Sequence, residues 1–178
     1  MKNPWKTLSS RKIYKSRWIS VREDAVIQPN GEKSMFGVIE SKKFVMMIPK
    51  IGADFYLINQ YRYPIQQFSL EFPAGAIKAN EAEKTAVIRE LIEETGLKPN
   101  KITKIGKLYV ACSFSDTTYS IYAVEDFIQC HTAPEASEGK IELQKVSKKQ
   151  LNELIQMGKI GDSQTLAAFQ LYQQQERE

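Results

Sequence analysis

Acidic residues crowd one short segment of this sequence, between positions 75 and 97. Glu90 and Glu94 are four residues apart, and Glu93 is three residues from Glu90. The stretch over 81–95 has good helix formers and no internal Gly or Pro, which predicts a helix. Residues three and four apart are neighbours on a helix, so these carboxylates would share one face and repel each other. A hard divalent cation such as Mg²⁺ or Mn²⁺, which prefers oxygen ligands, would relieve that repulsion.

The same glutamates also fit a solvated helix face, which is common on protein surfaces. Their flanks argue for a binding site instead. Pro73, Ala74 and Gly75 predict a tight loop before the helix, where backbone carbonyls can approach whatever the carboxylates bind. Gly96 stands where a helix C-cap is expected. Because clustered carboxylates bind Mg²⁺ weakly unless an anionic ligand also contacts the metal, the segment points to a phosphate-containing ligand.

The spacing of the whole segment is specific. It matches, without mismatch, the pattern G-x5-E-x7-R-E-U-x-E-E-x-G-U, in which U is a bulky aliphatic residue. The segment therefore resembles the signature of the Nudix hydrolases. The specified positions are Gly75, Glu81, Arg89, Glu90, Leu91, Glu93, Glu94, Gly96 and Leu97. A metal ion held there activates water and neutralises charge that develops on a pyrophosphate, as P–O cleavage requires.

The resemblance implies a metal site made by the helix and the loop before it. Glu90 and Glu94 would ligate the metal. Glu93 would contribute, and the carbonyl of Ala74 would complete the site. Arg89 is then expected among the catalytic residues, where it orients a helix carboxylate rather than contacting substrate.

Residues upstream of the helix extend the resemblance. The run over 60–64, QYRYP, followed by LEFPAG over 70–75, is similar to the QYR…E-[LF]-PAG arrangement of the ADP-ribose and nucleotide-sugar pyrophosphatases. The planar fork of donors on Arg62 suits a diphosphate oxygen, and a surface salt bridge is the alternative. Tyr61 either stacks on the base of the substrate or packs in the core.

One stretch departs from that branch of the family. ADP-ribose-type relatives usually carry a Ser-Pro-Gly turn followed by Glu, whereas residues 111–117 here read ACSFSDT. The proline is missing, and Thr117 stands in place of the Glu. Asp116 either replaces that acid in binding substrate or serves as a turn residue. The departure keeps nucleotide sugars other than ADP-ribose in consideration.

The general base has two candidate locations. In this branch it is often a Glu on a loop before the last strand, which here offers Glu135 and Glu138. Such loops commonly carry catalytic groups, and a plain solvated loop is the alternative. Glu93 is the competing candidate for the base. His131, the only histidine, and Cys112, which has no evident base partner, are not expected to be catalytic.

Size and composition indicate an ordinary soluble protein. The chain has 178 residues, of which 42% are hydrophobic and 26% are charged. A net charge of +4 with scattered basic residues gives little support for nucleic-acid binding. Two cysteines suit a reducing cytosol, and no apolar run reaches membrane-spanning length. We therefore expect a cytoplasmic protein without a membrane segment.

The order of predicted elements indicates an α+β or layered αβα protein. Strands are predicted within 11–29 and over about 36–39, 44–49, 55–58, 69–72, 102–110, 118–124 and 141–146, with later helices about 148–157 and 163–175. The resemblance implies a Nudix-like αβα sandwich with a mixed sheet and a small N-terminal β subdomain. We expect an N-terminal β extension over 1–43, which serves dimerisation, and a hydrolase domain over 44–178.

The functional prediction is a Mg²⁺-dependent Nudix pyrophosphohydrolase, with Mn²⁺ as a substitute metal. It would split a nucleoside diphosphate sugar, ADP-ribose or another, into a nucleoside monophosphate and a sugar phosphate. Two alternatives stay open: a hydrolase of dinucleoside polyphosphates or RNA 5′ ends, and a non-catalytic nucleotide-sugar sensor. The expected partners are the small-molecule substrate and a second copy of the chain, with neither nucleic acid nor a membrane.

Overall fold

The structure is a computed structural model that describes residues 2–130 and 140–176. Contacts between Cα atoms divide the chain into two compact units. Within the described ranges, the first unit takes in the chain up to Lys43 together with Tyr109–Thr118, and the second takes in the rest. Across these same ranges, no helix is both long enough and apolar enough to cross a membrane.

The first unit contains an antiparallel sheet in the order β1, β2, β3. These strands are β1 (Lys6–Lys15), β2 (Ile19–Ile27) and β3 (Lys33–Ser41). Where the sequence predicted one or two short strands over 11–29, the structure has two long ones, the first beginning at Lys6. The predicted Asn30-Gly31 turn joins β2 to β3, and Gly31 has the left-handed φ of 88° that favours glycine. A single bridge pairs Ile39 with Ser115 of the later segment.

The second unit contains the other strands and the helices, and two of its strands reach one residue into the first unit. The strands are β4 (Phe44–Ile51), β5 (Asp54–Arg62), β6 (Gln67–Glu71), β7 (Ala74–Ala76), β8 (Leu97–Tyr109), β9 (Thr118–Gln129) and β10 (Glu142–Ser147). The helices are α1 (Glu83–Thr95), α2 (Lys148–Gln156) and α3 (Ser163–Gln175), with a short 3-10 helix at Tyr63–Ile65.

The sheet of the second unit is mixed. Its main order is β10-β5-β4-β9-β8, with β6 added beside β5 and β7 beside β4. Strands β4 and β9 are parallel, whereas β4 pairs with β5 and β7 in the antiparallel sense. The predicted α+β class with a mixed sheet is therefore confirmed.

Helices cover both faces of this sheet. On one face a buried cluster joins β4, β8, β9 and α1: Val45, Met47, Ala86, Val87, Leu91, Leu97, Tyr122 and Val124. On the other face, the ring of Phe55 in β5 meets Phe169 and Tyr172 of α3 edge-on, at centroid distances of 5.5 and 5.6 Å. Because successive strand residues face opposite sides, this pattern places the sheet between α1 and α3.

The starts of α1 and β8 are among the boundaries that differ from the predictions. Helix α1 begins at Glu83 rather than Glu81, because Glu81 lies in the preceding turn, where its carboxylate accepts the N–H of Lys78 at 2.8 Å. Strand β8 begins at Leu97 rather than near 102, since buried Leu97 and Pro99 alternate with exposed residues along a polar sequence. At the end of α1, the predicted C-cap at Gly96 is confirmed, with φ of 70°.

Candidate active site

In strand β7, the backbone N–H and C=O groups of alternate residues point away from β4. The N–H of Met47 donates to the carbonyl of Pro73 at 2.9 Å, and Gly75 is two residues further along the same antiparallel pair. Alternate residues of such a pair point their N–H and C=O groups at the partner strand, so those of Ala74 and Ala76 point away from β4.

Helix α1 binds both of these alanines. The N–H of Ala74 donates to Oε2 of Glu94 at 3.1 Å, and the carbonyl of Ala76 accepts from Nη2 of Arg89 at 3.0 Å. The carbonyl of Ala74 shares this direction, away from β4. Side chains of α1 thus bind the backbone of β7 on the side where the sequence predicted a metal.

Gly75 lies directly against the carboxylate of Glu90. A Cβ atom at this position would be 2.0 Å from Cδ of Glu90 and 2.3 Å from its Oε2, distances that Cβ atoms do not tolerate. Glycine is therefore required at position 75 because the Glu90 carboxylate occupies the space of a side chain. Glu90 and Glu94 are 7% and 6% exposed, so both acids are buried against β7.

Arg89 lies at the centre of the acidic cluster. Its Nε and Nη2 each donate to one carboxylate oxygen of Glu81 at 2.8 Å. Its Nη1 is 2.7 Å from Oε1 of Glu90 and donates to Oε2 of Glu93 at 3.1 Å. The guanidinium lowers the pKa of Glu81 to about 2, while hydrogen bonding to Glu81 raises the pKa of Arg89 above its ordinary value. Three acids therefore share one cation.

The donor set fits a hard divalent cation, which prefers carboxylate and carbonyl oxygens. The buried carboxylate of Glu94 binds the backbone of Ala74 and that of Glu90 lies against Gly75, while the side chain of Glu93 is more open to solvent. Among the described residues, no group of three or more His, Cys, Asp or Glu side chains is arranged to hold a metal ion. The guanidinium of Arg89 and the backbone N–H of Ala74 are among the groups that contact the acids that the sequence assigned to the metal.

Arg62 at the end of β5 forms an ion pair with a buried acid. Its Nε donates to Oε1 of Glu71 at 3.1 Å, and its Nη2 donates to Oε2 at 2.5 Å. Hydrogen bonding to Glu71 is the main cause of the raised pKa of Arg62, and the charges of Glu94 and Asp162 add to it. Arg62 therefore lies within electrostatic reach of Glu94 in α1.

Tyr61 lies elsewhere. As the neighbour of Arg62 on a regular strand, it points to the opposite face of the sheet. Its ring is 48% exposed and meets Phe68 edge-on, with centroids 5.6 Å apart. Tyr61 is thus neither in the core nor beside the carboxylates of α1.

The departure at residues 111–117 has a structural explanation within the first unit. Thr117 is buried, and its Oγ1 accepts the N–H of Ser41 at 3.1 Å and lies 3.0 Å from the hydroxyl of Ser115. Thr117 therefore ties this segment to β3, whereas Asp116 beside it is exposed. Glu135 and Glu138, predicted as base candidates, lie outside the described residues.

The sequence reasoning gave no role to Glu71. An acid between Leu70 and Phe72, within an apolar strand, is itself a signal, because a buried carboxylate needs a partner. Arg62 on the paired strand β5 supplies that partner.

The chain is similar to known proteins along most of its length. The model of the "Nucleoside diphosphate sugar hydrolase N-terminal domain" family matches residues 5–39, and that of the NUDIX domain matches residues 44–168. The chain is 25% identical over 173 residues to an ADP-ribose pyrophosphatase of Bacillus subtilis, covering 96% of this chain and 94% of that protein. It has the same identity and coverage with a methanol dehydrogenase activator of Bacillus methanolicus. A solved structure titled ADP compounds hydrolase shares the fold, with a TM-score of 0.86 at 20% identity over 97% of this chain and 94% of that one.

Proposed function

The chain belongs to the NUDIX family, and from that premise we propose that it hydrolyses the pyrophosphate bond of a nucleoside diphosphate sugar with Mg²⁺. The predicted class of enzyme, a Nudix pyrophosphohydrolase, is confirmed by the family match and the named relatives. The products would be a nucleoside monophosphate and a sugar phosphate.

The observation that carries the proposal is the convergence of Glu90 and Glu94 on the backbone of β7. Both acids are buried, and Gly75 leaves room only for the carboxylate of Glu90. Buried carboxylates are costly unless cations balance them, and here three acids share the one guanidinium of Arg89. We assign Glu90, Glu94 and the carbonyl of Ala74 as metal ligands, with a contribution from Glu93. A bound Mg²⁺, or Mn²⁺ in its place, would neutralise charge on the diphosphate and activate water.

The assignment to nucleotide sugars has two supports. The family match over residues 5–39 is to an N-terminal domain of nucleoside diphosphate sugar hydrolases. Arg62, oriented by Glu71 and within reach of the charge of Glu94, offers a guanidinium suited to a diphosphate oxygen. Tyr61, whose half-exposed ring lies away from the carboxylates of α1, is proposed to contact the base of the substrate rather than its diphosphate.

The general base is proposed to be one of three glutamates. Glu93 is held by Arg89 at 3.1 Å and keeps part of its side chain exposed, as a base that meets water requires. Glu135 and Glu138 are the other candidates. Each of the three is changed to Gln and kcat is measured at saturating Mg²⁺, because Glu93 is also assigned a contribution to the metal. An unchanged rate in both Glu135→Gln and Glu138→Gln would assign the role to Glu93.

The test of the proposed function is a hydrolysis screen with Mg²⁺. The substrates are ADP-ribose, ADP-glucose, UDP- and GDP-sugars, diadenosine polyphosphates and capped RNA, with products separated by chromatography. We expect turnover of a nucleoside diphosphate sugar. Preference for polyphosphates or RNA ends would favour the second enzymatic alternative, and tight nucleotide-sugar binding without turnover would favour a sensor.

The variant Glu94→Gln tests the metal assignment. Removing one charged ligand should lower the Mg²⁺-dependent rate about 100- to 1000-fold, because metal catalysis supplies several kcal/mol of charge stabilisation. Glu83→Gln, on the same helix but bound to Lys104, is the matched control. A Glu94→Gln enzyme that keeps the rate of the unmodified protein would contradict the assignment.

We also propose a cytoplasmic homodimer formed through the N-terminal β extension over 1–43. All residues of β1 are exposed, including the apolar side chains of Leu8, Ile13 and Tyr14. An edge strand with exposed apolar residues is typical of an interaction surface. Light scattering after size exclusion should give the mass of two chains, and Ile13→Asp should give the mass of one. A monomeric unmodified protein would refute the proposal.

A further inference from the structure

Helix α3 holds Phe72 in two ways. Oγ1 of Thr165 accepts the backbone N–H of Phe72 at 3.1 Å, and Thr165 is 0% exposed. Four residues later on the same face of α3, the ring of Phe169 packs against the ring of Phe72 with centroids 6.4 Å apart. The backbone and the side chain of Phe72 are therefore both fixed by one face of this helix.

Phe72 directly precedes Pro73 and β7, in which the carbonyl of Ala74 is proposed as a metal ligand. Pro73 has no N–H, so the next backbone donor after Phe72 is that of Ala74, which binds Glu94 at 3.1 Å. The carbonyl between them, that of Pro73, is bound by Met47 of β4. One backbone group of each of Phe72, Pro73 and Ala74 is thus held, by α3, β4 and α1 in turn.

Thr165 is itself fixed at the start of α3. Its N–H donates to Oδ2 of Asp162, the N-cap of the helix, at 2.7 Å. The hydroxyl therefore has a defined position relative to the helix end. We propose that Thr165 is a positioning residue for the metal site: by fixing Phe72, it sets the position of Ala74 and Gly75 against Glu94 and Glu90. The effect on metal binding rests on the proposed function. The effect on the position of Ala74 and Gly75 rests on the contacts alone.

Two substitutions at this position separate the hydrogen bond from the packing. Thr165→Val keeps the branched shape but removes the acceptor and leaves a buried N–H without a partner. Thr165→Ser keeps the Oγ. In Thr165→Val, we expect faster hydrogen exchange in the peptide that contains 72–76 and a dissociation constant for Mn²⁺ about 10-fold higher. Thr165→Ser should restore both, which loss of packing alone would not allow.

A control at another helix start tests whether general destabilisation explains the result. Ser147→Ala removes the side-chain acceptor that caps α2, where Oγ binds the N–H of Gln150 at 3.2 Å. This variant should melt at a lower temperature, but exchange at 72–76 and Mn²⁺ affinity, measured by electron paramagnetic resonance, should not change.

Some outcomes would overturn the inference. Thr165→Val with the exchange and Mn²⁺ affinity of the unmodified protein would do so, as would equal effects in Ser147→Ala. An unmodified protein that hydrolyses no substrate of the screen would instead refute the proposed function. The exchange difference between the Val and Ser variants would still decide the role of Thr165 in that case.

Discussion

The two ends of α1 both carry paired acids, but the pairing differs. In the first turn, Glu83 accepts hydrogen bonds from Nζ of Lys104 at 2.6 Å, the hydroxyl of Tyr122 at 2.6 Å and that of Ser120 at 3.0 Å. These partners, Lys104 first, lower the pKa of Glu83 to about 2. Towards the other end, Arg89 is shared by three acids. The first arrangement gives one acid several partners of its own, whereas in the second three acids share one guanidinium.

The helix dipole stabilises the acid at one end of α1 and disfavours the acids at the other. An acid in the first turn, such as Glu83, is stabilised by the partial positive charge of the helix N-terminus. Glu93 and Glu94 lie in the last turn, where the partial charge is negative and disfavours them. Acids that oppose both each other and the dipole are costly for folding, and such local conflicts are expected at functional sites. We therefore base the proposed cation site on acids that share one guanidinium and oppose the helix dipole, and not on the number of acids alone.

The largest effect on this comparison is expected from Gly75→Ala. A methyl group at this position would overlap the Glu90 carboxylate, which must then move away from β7. Because a displacement of about 1 Å at a catalytic site can cost about 100-fold in rate, we expect that loss in Mg²⁺-dependent kcat.

Gly37→Ala is the matched control for this change. No atom lies within 4 Å of a Cβ built at Gly37, so the variant should keep the rate of the unmodified protein. Equal rates in Gly75→Ala and the unmodified protein would show that the position of Glu90 does not matter for catalysis.

The next largest loss in rate is expected from Arg89→Lys. An ammonium cannot bind both oxygens of Glu81 and the carbonyl of Ala76 at once, as the guanidinium does. We expect a rate about 10-fold lower, because a residue that orients metal ligands is lost. The free energy of unfolding should fall by about 2 kcal/mol, since charged hydrogen bonds are broken in a partly buried site. Urea unfolding and kinetics in parallel would test both, and a Lys variant equal to the unmodified protein in both would refute the shared role.

The acidic segment was the part of the site most accessible from sequence. The positions of Glu90, Glu93 and Glu94 follow from helical periodicity, and the glycine at 75 from the signature, so their common location needed no tertiary information. Gly75 shows what sequence alone leaves out: the glycine is explained by the approach of Glu90, a contact between elements fifteen positions apart. The sequence predicted a tight loop there, but not its cause.

Other residues depend on pairings that no local pattern encodes. Glu71 meets Arg62 because β5 and β6 are paired in one register, and Thr165 meets Phe72 across 93 positions. Tyr61 and Arg62 are adjacent in sequence yet face opposite sides, which follows only once residue 61 is known to lie in a regular strand. The early start of β8 was missed because its polar residues have low strand propensity, which sheet pairing overrides.

The smallest effect is expected at the other end of α1, from Glu83→Gln. The pKa of Glu83 is about 2 in the folded protein against an ordinary value of 4.5. A lowered carboxyl pKa contributes stability above pH 4.5, and that contribution is lost as the pH falls towards 2. Since about a third of the side chain is exposed, we expect a cost of only about 1 kcal/mol at pH 7.

Two measurements test this last prediction. Urea unfolding should show Glu83→Gln less stable than the unmodified protein at pH 7, with the difference shrinking as the pH falls below 4.5. Mg²⁺-dependent hydrolysis at pH 7 should be unchanged, because Glu83 is bound by Lys104 and not by Arg89. A rate loss in Glu83→Gln comparable to that in Gly75→Ala would mean that the two ends of α1 act as one site. The distinction between an acid with partners of its own and acids that share Arg89 would then be wrong.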